Sequence, residues 1–69
     1  MKLPLRAARA YAGMTQQAVA EALGCSRETI RAYEEYRAYP TSKTILKLLA
    51  LYGLTFDQIR WDAPQGADR

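Results

Sequence analysis

The chain has 69 residues and a formal net charge of +3, so it is long enough for one small domain and too short for two. Its single cysteine and its lack of histidine exclude an intramolecular disulfide and a zinc site of the Cys/His type. The modest positive charge is compatible with a polyanionic partner but does not require one.

The first predicted helix opens at Leu3-Pro4-Leu5 and continues over residues 5–12. Pro4 suits its first position, since the amide that proline lacks would have no partner there, and Gly13 ends it. Arg6 and Arg9 stand three residues apart and therefore share one side of this helix. For Arg6, a solvated surface charge and a contact with phosphate are equally open alternatives.

Two short helices joined by a tight turn follow. Thr15 is a good N-cap for the first of them, predicted over residues 16–23, and Gly24 supplies the left-handed conformation that commonly ends a helix. Ser26 caps the second, predicted over residues 27–34. Because so few residues separate the two helices, they must cross steeply. This is the helix-turn-helix geometry, in which the second helix can enter the major groove of DNA; the alternative is a helical hairpin buried in any small bundle.

The apolar and polar residues of this motif predict its two sides. The inner side consists of Val19, Ala20, Leu23, Cys25, Ile30 and Tyr33. The outer side of the second helix consists of Arg27, Glu28, Thr29, Arg31 and Ala32. Cys25 is interpreted as a small buried apolar residue, because no histidine is present to activate its thiol.

A loop over residues 35–40 carries Arg37 and two tyrosines, and Pro40 stops any continuing helix. Interleaved basic and aromatic residues beside such a helix can grip the DNA backbone, which makes Arg37 and Tyr39 candidates for phosphate contacts. The alternative is that at least one of Tyr36 and Tyr39 packs over the core.

The next helix is predicted over residues 42–52, capped by Thr41 or Ser42 and closed by Gly53. Lys43 lies in its first turn, where the positive charge opposes the helix dipole, and a nearby phosphate would relieve this. The core face of this helix is predicted from the amphipathic stripe of Ile45, Leu48, Leu49 and Tyr52.

A short fifth helix is predicted after it, with Thr55 as its cap, Phe56 and Ile59 facing inward and Trp61 at its end. An apolar group of this size at the end of a small bundle either forms a dimer contact or seals the core. The polar tail over residues 62–69 contains proline and glycine and is predicted to be disordered.

The chain resembles the XRE-type helix-turn-helix domains of phage repressors, Cro proteins and their bacterial relatives in the run GMTQQAVAEALGCSRETIRAYE, followed by Pro40 and then ILKLLALYGL. The likeness covers about residues 5–59. It implies an all-α, compact five-helix domain with the lambda repressor-like fold, here assigned to residues 1–61 with the motif over residues 15–34. It also implies binding to operator DNA, usually as a symmetric dimer.

The resemblance also assigns roles to single residues. It implies that Gln16 contacts the phosphate backbone and that Arg9 forms an ion pair with Glu34, the first of two adjacent acids at a helix C-terminus. Family members read base edges at the positions of Arg27, Glu28 and Ala32, with Thr29 and Arg31 adjacent. The expected phosphate contacts are those of Thr15, Gln16, Gln17, Ser26, Arg37, Tyr39 and Lys43.

Two residues depart from the family pattern. The family usually has glycine or asparagine near Tyr36, and tyrosine tolerates a positive φ poorly, so we expect either a longer helix or a different loop there. Glu28 is unusual at a base-reading position. It can accept a hydrogen bond from cytosine N4, or orient Arg27 or Arg31.

Our first functional hypothesis is a sequence-specific transcriptional regulator, a repressor that binds a (pseudo)palindromic operator in double-stranded DNA as a homodimer. The alternative is an antitoxin or other protein-interaction module whose main partner is a protein such as a toxin or an antirepressor.

Other classes of function have no support in the sequence. It has no histidine, no glycine-rich phosphate loop, no metal-ligand cluster and no paired carboxylates in an evident pocket, so we expect no enzyme, no metal and no cofactor. It also has neither the apolar run of a signal peptide at its N-terminus nor the roughly 20 apolar residues that span a membrane. We therefore expect a cytoplasmic protein associated with the nucleoid.

Overall fold

The computed structural model of the protein describes residues 2–63, so the predicted tail lies outside the described residues from position 64 onward. The elements in chain order are β1 (Leu3–Pro4), α1 (Leu5–Tyr11), α2 (Gln16–Leu23), α3 (Arg27–Glu34), α4 (Ser42–Tyr52), a single 3₁₀ turn (Phe56–Gln58) and β2 (Ile59–Arg60). Four α-helices thus make up most of the domain. None of the helices in the described range is long and apolar enough to cross a membrane.

The predicted bounds of the two motif helices are confirmed, and their ends have the expected caps. The hydroxyl of Thr15 accepts a hydrogen bond from the amide of Ala18 at 3.0 Å, and Gly24 ends α2 with a φ of 76°. Ser26 caps α3 in the same way, accepting from the amide of Thr29 at 3.2 Å. Short polar caps and one glycine therefore determine where these helices begin and end.

The fourth helix agrees with the prediction, and the first is one residue shorter at each end, since it runs from Leu5 to Tyr11. Thr41 is the cap of α4, and Gly53 ends that helix in the left-handed conformation. Pro4 was predicted at the first helical position, but it is the residue before the helix and has an extended backbone with ψ at 156°. The reason is that Pro4 lies in β1, which pairs in parallel with β2.

The core lies where the four helices meet. Val19 and Ala20 of α2 are fully buried, and the small side chain of Ala20 lets the backbones of α2 and α3 approach closely. Cys25 and Tyr33, predicted on the inner side, are partly buried and pack against this core. The buried hydrophobic residues of this core are Leu5, Ala8, Val19, Ala20, Ile30, Leu48, Tyr52, Ile59 and Trp61.

The predicted fifth helix and the strictly all-α class are not confirmed. One 3₁₀ turn occupies the site, closed by a capping box between Thr55 and Gln58. The next residue, Ile59, is extended with φ and ψ of −118° and 140°, because it pairs with Leu3 in the parallel strand pair. Only five residues separate Gly53 from the paired Ile59, which leaves room for one helical turn and not for a longer helix.

For Ile59 and Trp61, the burial of the last segment favours sealing of the core over the alternative of a dimer contact. Ile59 and Trp61 are 0% and 5% exposed, so they seal the core of the single chain and are not available to a second copy. Only Phe56 is exposed, at 49%. Its ring stacks on that of Trp61 with centroids 5.3 Å apart, and the indole N–H donates to the Phe56 carbonyl at 2.9 Å.

Tyr36 has the positive φ that we expected a tyrosine to avoid. The helix ends at Glu34 and Tyr36 adopts a φ of 60°, so the expected longer helix is not found and the tyrosine takes the left-handed conformation itself. The side chain explains why this conformation persists. Its hydroxyl accepts from the amide of Leu5 at 3.1 Å and donates to the carbonyl of Arg60 at 2.9 Å, which joins both ends of the domain to the end of α3.

We predict that Tyr36→Phe lowers the free energy of unfolding by about 1–2 kcal/mol, because it removes two hydrogen bonds and leaves the Leu5 amide without its acceptor. Urea denaturation measures the change. Tyr39→Phe is the matched control, since Tyr39 is 57% exposed, and we expect a change within about 0.5 kcal/mol. Equal effects of the two substitutions would contradict the bridging role of Tyr36.

Candidate nucleic-acid interface

The polar face of α3 is open to solvent. Arg27, Glu28 and Arg31 are exposed, as predicted for a surface that reads another molecule. Thr29 and Ala32 are only partly exposed, and the Thr29 hydroxyl lies 3.0 Å from that of the capping Ser26. Three of the five predicted base-reading side chains are therefore exposed, and the other two are only partly accessible to a ligand.

A partly buried ion pair holds α3 against the helices before it. Arg9 donates through Nε and Nη2 to the two carboxylate oxygens of Glu34, the second contact at 3.2 Å. Arg9 also donates to the carbonyl of Met14 at 3.0 Å, and Gln16 donates to Glu34 Oε1 at 3.0 Å. These contacts join α1, the start of α2 and the end of α3. The ion pair that the resemblance implied is thus present, with side chains only 16% and 6% exposed.

The surroundings of this pair favour the charged form of Arg9. The hydrogen bonds to Glu34 raise the pKa of Arg9, against the opposing effect of burial. Burial is the main cause that raises the pKa of Tyr52 to about 12, and the negative charge of Glu34 acts in the same direction. Arg9 and Glu34 therefore have structural roles, and Glu34 is unavailable to repel an approaching phosphate.

The side chains at the start of α2 are already engaged. The Gln16 amide donates to Glu34, and the Thr15 hydroxyl serves as the cap, so a phosphate would compete with these contacts. Gln17 is exposed and donates to Glu21 at 3.1 Å. The backbone amides of Gln16 and Gln17 lie at the open end of the helix, where an anion is favoured.

The remaining predicted phosphate contacts differ in accessibility. Tyr39 is 57% exposed, and Lys43 is exposed in the first turn of α4. No carboxylate in the described part of the chain forms an ion pair with Lys43. The hydroxyl of Ser26 is used as a cap. Arg37, the other cation of the predicted set, is bound to two carboxylates, so Lys43 is the more available of the two.

A ring of four charged side chains runs from the first turn of α3 to the segment after it, and we call it the charge ring. Arg31 contacts Glu35 at 3.0 Å and Glu28 at 3.8 Å, while Arg37 contacts Glu35 at 2.8 Å and Glu28 at 3.1 Å. The hydrogen bonds from Arg37 and then Arg31 hold the pKa of Glu35 below its usual range. The sequence contained a signal for part of this ring, since Arg31 and Glu35 are four residues apart on the helix.

A cleft of about 530 Å³ lies beside α3 and is lined by side chains from three helices. Its lining includes Arg9 and Glu34, with the exposed Arg6 and Arg27 among the other lining residues. Neither Arg6 nor Arg27 forms an ion pair with any carboxylate of the described residues. Two unpaired cations on one cleft favour the phosphate-contact alternative for Arg6.

An apolar groove lies away from this charged surface. Leu46, on α4, is 68% exposed and was missed by the sequence reasoning, because it falls outside the core stripe of that helix. Tyr39 and Phe56 are the other large exposed apolar side chains of the groove. The full lining is Tyr39, Pro40, Thr41, Ser42, Ile45, Leu46, Leu49 and Phe56.

Comparison with known proteins gives one match. A family model described as helix-turn-helix matches residues 5–59, which covers most of the chain. No curated protein and no solved structure matches the chain.

We predict that Glu34→Gln lowers the free energy of unfolding by about 3 kcal/mol, because the partly buried Arg9 charge loses its partner. Urea denaturation followed by circular dichroism gives the value. Glu21→Gln makes the same charge change at an exposed position outside the ion pair and should stay within about 0.5 kcal/mol. A loss below about 1 kcal/mol for Glu34→Gln would contradict the structural role of this pair.

Proposed function

The chain belongs to the XRE-type helix-turn-helix family of DNA-binding regulators, and from this premise we propose that it is a repressor that binds a (pseudo)palindromic operator as a homodimer. The observation that carries the proposal is the exposed face of α3, where Arg27, Glu28 and Arg31 project from a helix that the Arg9–Glu34 pair fixes in place. A regulator of this kind works where the DNA is, in the cytoplasm at the nucleoid.

In the proposed complex, α3 lies in the major groove and reads base edges. Arg27 or Arg31 donates two hydrogen bonds to O6 and N7 of guanine, the commonest specific contact in this groove. Glu28 can accept from cytosine N4, and Ala32 leaves room for a thymine methyl group. Thr29 contributes at the edge of this surface, because it is only partly exposed.

Phosphate contacts orient the domain on the duplex without reading sequence. The strongest candidates are the open amides at the start of α2 and the cleft that Arg6 and Arg27 line. Lys43 and Tyr39 supply further contacts from the segment after α3. Arg37 belongs to this set only when it leaves its two carboxylate partners.

The proposed homodimer needs a surface other than the one predicted from sequence, because Ile59 and Trp61 are buried. Phe56 remains available, and it lies in the apolar groove with Leu46 and Tyr39. A second copy that covers this groove would remove from water three of the four large exposed apolar side chains of the described residues.

The same groove supports the alternative function, a module that binds a protein such as a toxin or an antirepressor.

A catalytic role has less support, because each carboxylate at the interface is already bound: Glu34 by Arg9, and Glu28 and Glu35 by Arg31 and Arg37. We therefore propose that the chain acts by binding and not by catalysis.

The experiment that tests the proposal is selection of binding sites from a random duplex DNA library with the purified chain at moderate salt. A palindromic motif with half-sites one helical turn apart, roughly 34 Å, is the expected result for a symmetric dimer. A single half-site would reject the dimer. No enrichment by a folded protein would reject sequence-specific binding and favour the protein-interaction alternative.

We predict that Arg27→Ala weakens binding to the selected site by about 1–3 kcal/mol and relaxes the preference at one base pair, as expected for the loss of a bidentate contact. Fluorescence anisotropy with the site and its single-base variants measures both effects. Lys47→Ala, which removes an exposed cation from α4, is the control for net charge. Equal losses on all sequences would make Arg27 a phosphate anchor.

A further inference from the structure

Two arginines of the DNA-facing surface are bound to carboxylates in the free protein. Arg31 and Arg37 each contact both Glu28 and Glu35, at distances from 2.8 to 3.8 Å, and the four side chains form a closed ring of alternating charge. The carboxylates contribute −2 and the guanidinium groups +2, so the ring as a whole is neutral. Arg27 is then the cation of α3 that has no ion pair with any carboxylate of the described residues.

The carboxylates of the ring resemble DNA phosphates in the way they hold arginine. A guanidinium group binds a carboxylate or a phosphate through the same fork of N–H donors. Arg37 donates through Nε to Glu35 and through Nη2 to Glu28, so the edge of its guanidinium that carries these two donors is occupied. A phosphate or a guanine can therefore use Nε or Nη2 of Arg37, or Nε of Arg31, only by displacing a carboxylate.

We propose that the charge ring makes DNA compete with Glu28 and Glu35 for Arg31 and Arg37, so that these two acids set specificity by suppressing binding to non-cognate DNA. This inference rests on the proposed function. It gives Glu35, which no base-reading role covers, a part in selecting the binding site.

Exposure makes such a competition feasible. The side chains of the ring are 46–65% exposed, and ion pairs in that environment are individually weak. At a cognate site, base contacts can offset the cost of opening the ring: Arg31 can bind guanine, and Glu28 can accept a hydrogen bond from cytosine N4. Non-cognate DNA offers only phosphates, whose attraction the two acids offset. The hydrogen bonds from Arg37 and Arg31 lower the pKa of Glu35, so its carboxylate stays charged at a lower pH than that of an ordinary glutamate.

The test uses Glu35→Gln, which removes one charge from the ring at an exposed position where folding should not depend on it. Binding of the wild-type chain and the variant is measured by fluorescence anisotropy over a series of salt concentrations. The probes are the selected duplex and a scrambled duplex of equal length. Glu21→Gln is the matched control, because it changes the net charge equally at an exposed acid of α2 outside the ring.

We expect Glu35→Gln to bind the scrambled duplex about 3- to 10-fold more tightly near 0.1 M salt, with a salt slope steeper by about 0.9, the value for one added phosphate contact. Binding to the selected duplex should change less, so the ratio of the two affinities falls. Glu21→Gln should leave this ratio and the slope close to those of the wild type.

The outcomes separate the ring from the proposed function. If Glu35→Gln behaves like Glu21→Gln, or if its affinity ratio is unchanged, the ring has no role in specificity while sequence-specific binding by the wild type still stands. Binding of the scrambled duplex by Glu35→Gln alone would support the ring even if the wild type selects no site. Absence of binding by all three folded proteins would overturn both proposals.

Discussion

The ion pair between Arg9 and Glu34 is the contact on which the arrangement of this domain depends. A domain of 69 residues has a small core and little stability in reserve, so the angle between short helices must be fixed by more than apolar packing. Arginine suits this position because its planar fork can bind both oxygens of Glu34 and also reach the carbonyl of Met14. With Gln16 as a further donor, one carboxylate joins three helices.

This internal pair also determines which charges remain outside. Glu34 and Glu35 are neighbours in sequence, yet one is nearly buried and the other nearly half exposed. The buried acid holds the framework, and the exposed acid meets Arg31 and Arg37. Because α3 is fixed by Glu34, the charge ring around Glu35 can open without disturbing the fold. In the proposed complex, this separation of the buried Glu34 from the exposed Glu35 would let the same helix end serve both stability and recognition.

The sequence predicted the helices well where short-range chemistry decides them. Thr15, Gly24 and Ser26 specify the motif through caps and a left-handed residue, which depend only on near neighbours. The long-range features could not be predicted in the same way. The hydroxyl of Tyr36 reaches Leu5 and Arg60, and the pairing of Leu3 with Ile59 replaces a helix by a strand. Such contacts join residues distant in sequence, so no local pattern encodes them.

The size of the reading surface favours a symmetric dimer. α3 has eight residues and is therefore roughly 12 Å long, which spans only about four base pairs of a duplex. With Arg31 and Arg37 neutralised by Glu28 and Glu35, a single domain has weak electrostatic attraction to add to these few contacts. A second copy doubles the number of base contacts that offset the cost of opening a ring. Non-cognate DNA offers no such contacts to either ring. Dimerisation and the charge ring would thus raise specificity together, since each ring adds a free-energy cost on non-cognate DNA and a dimer has two rings.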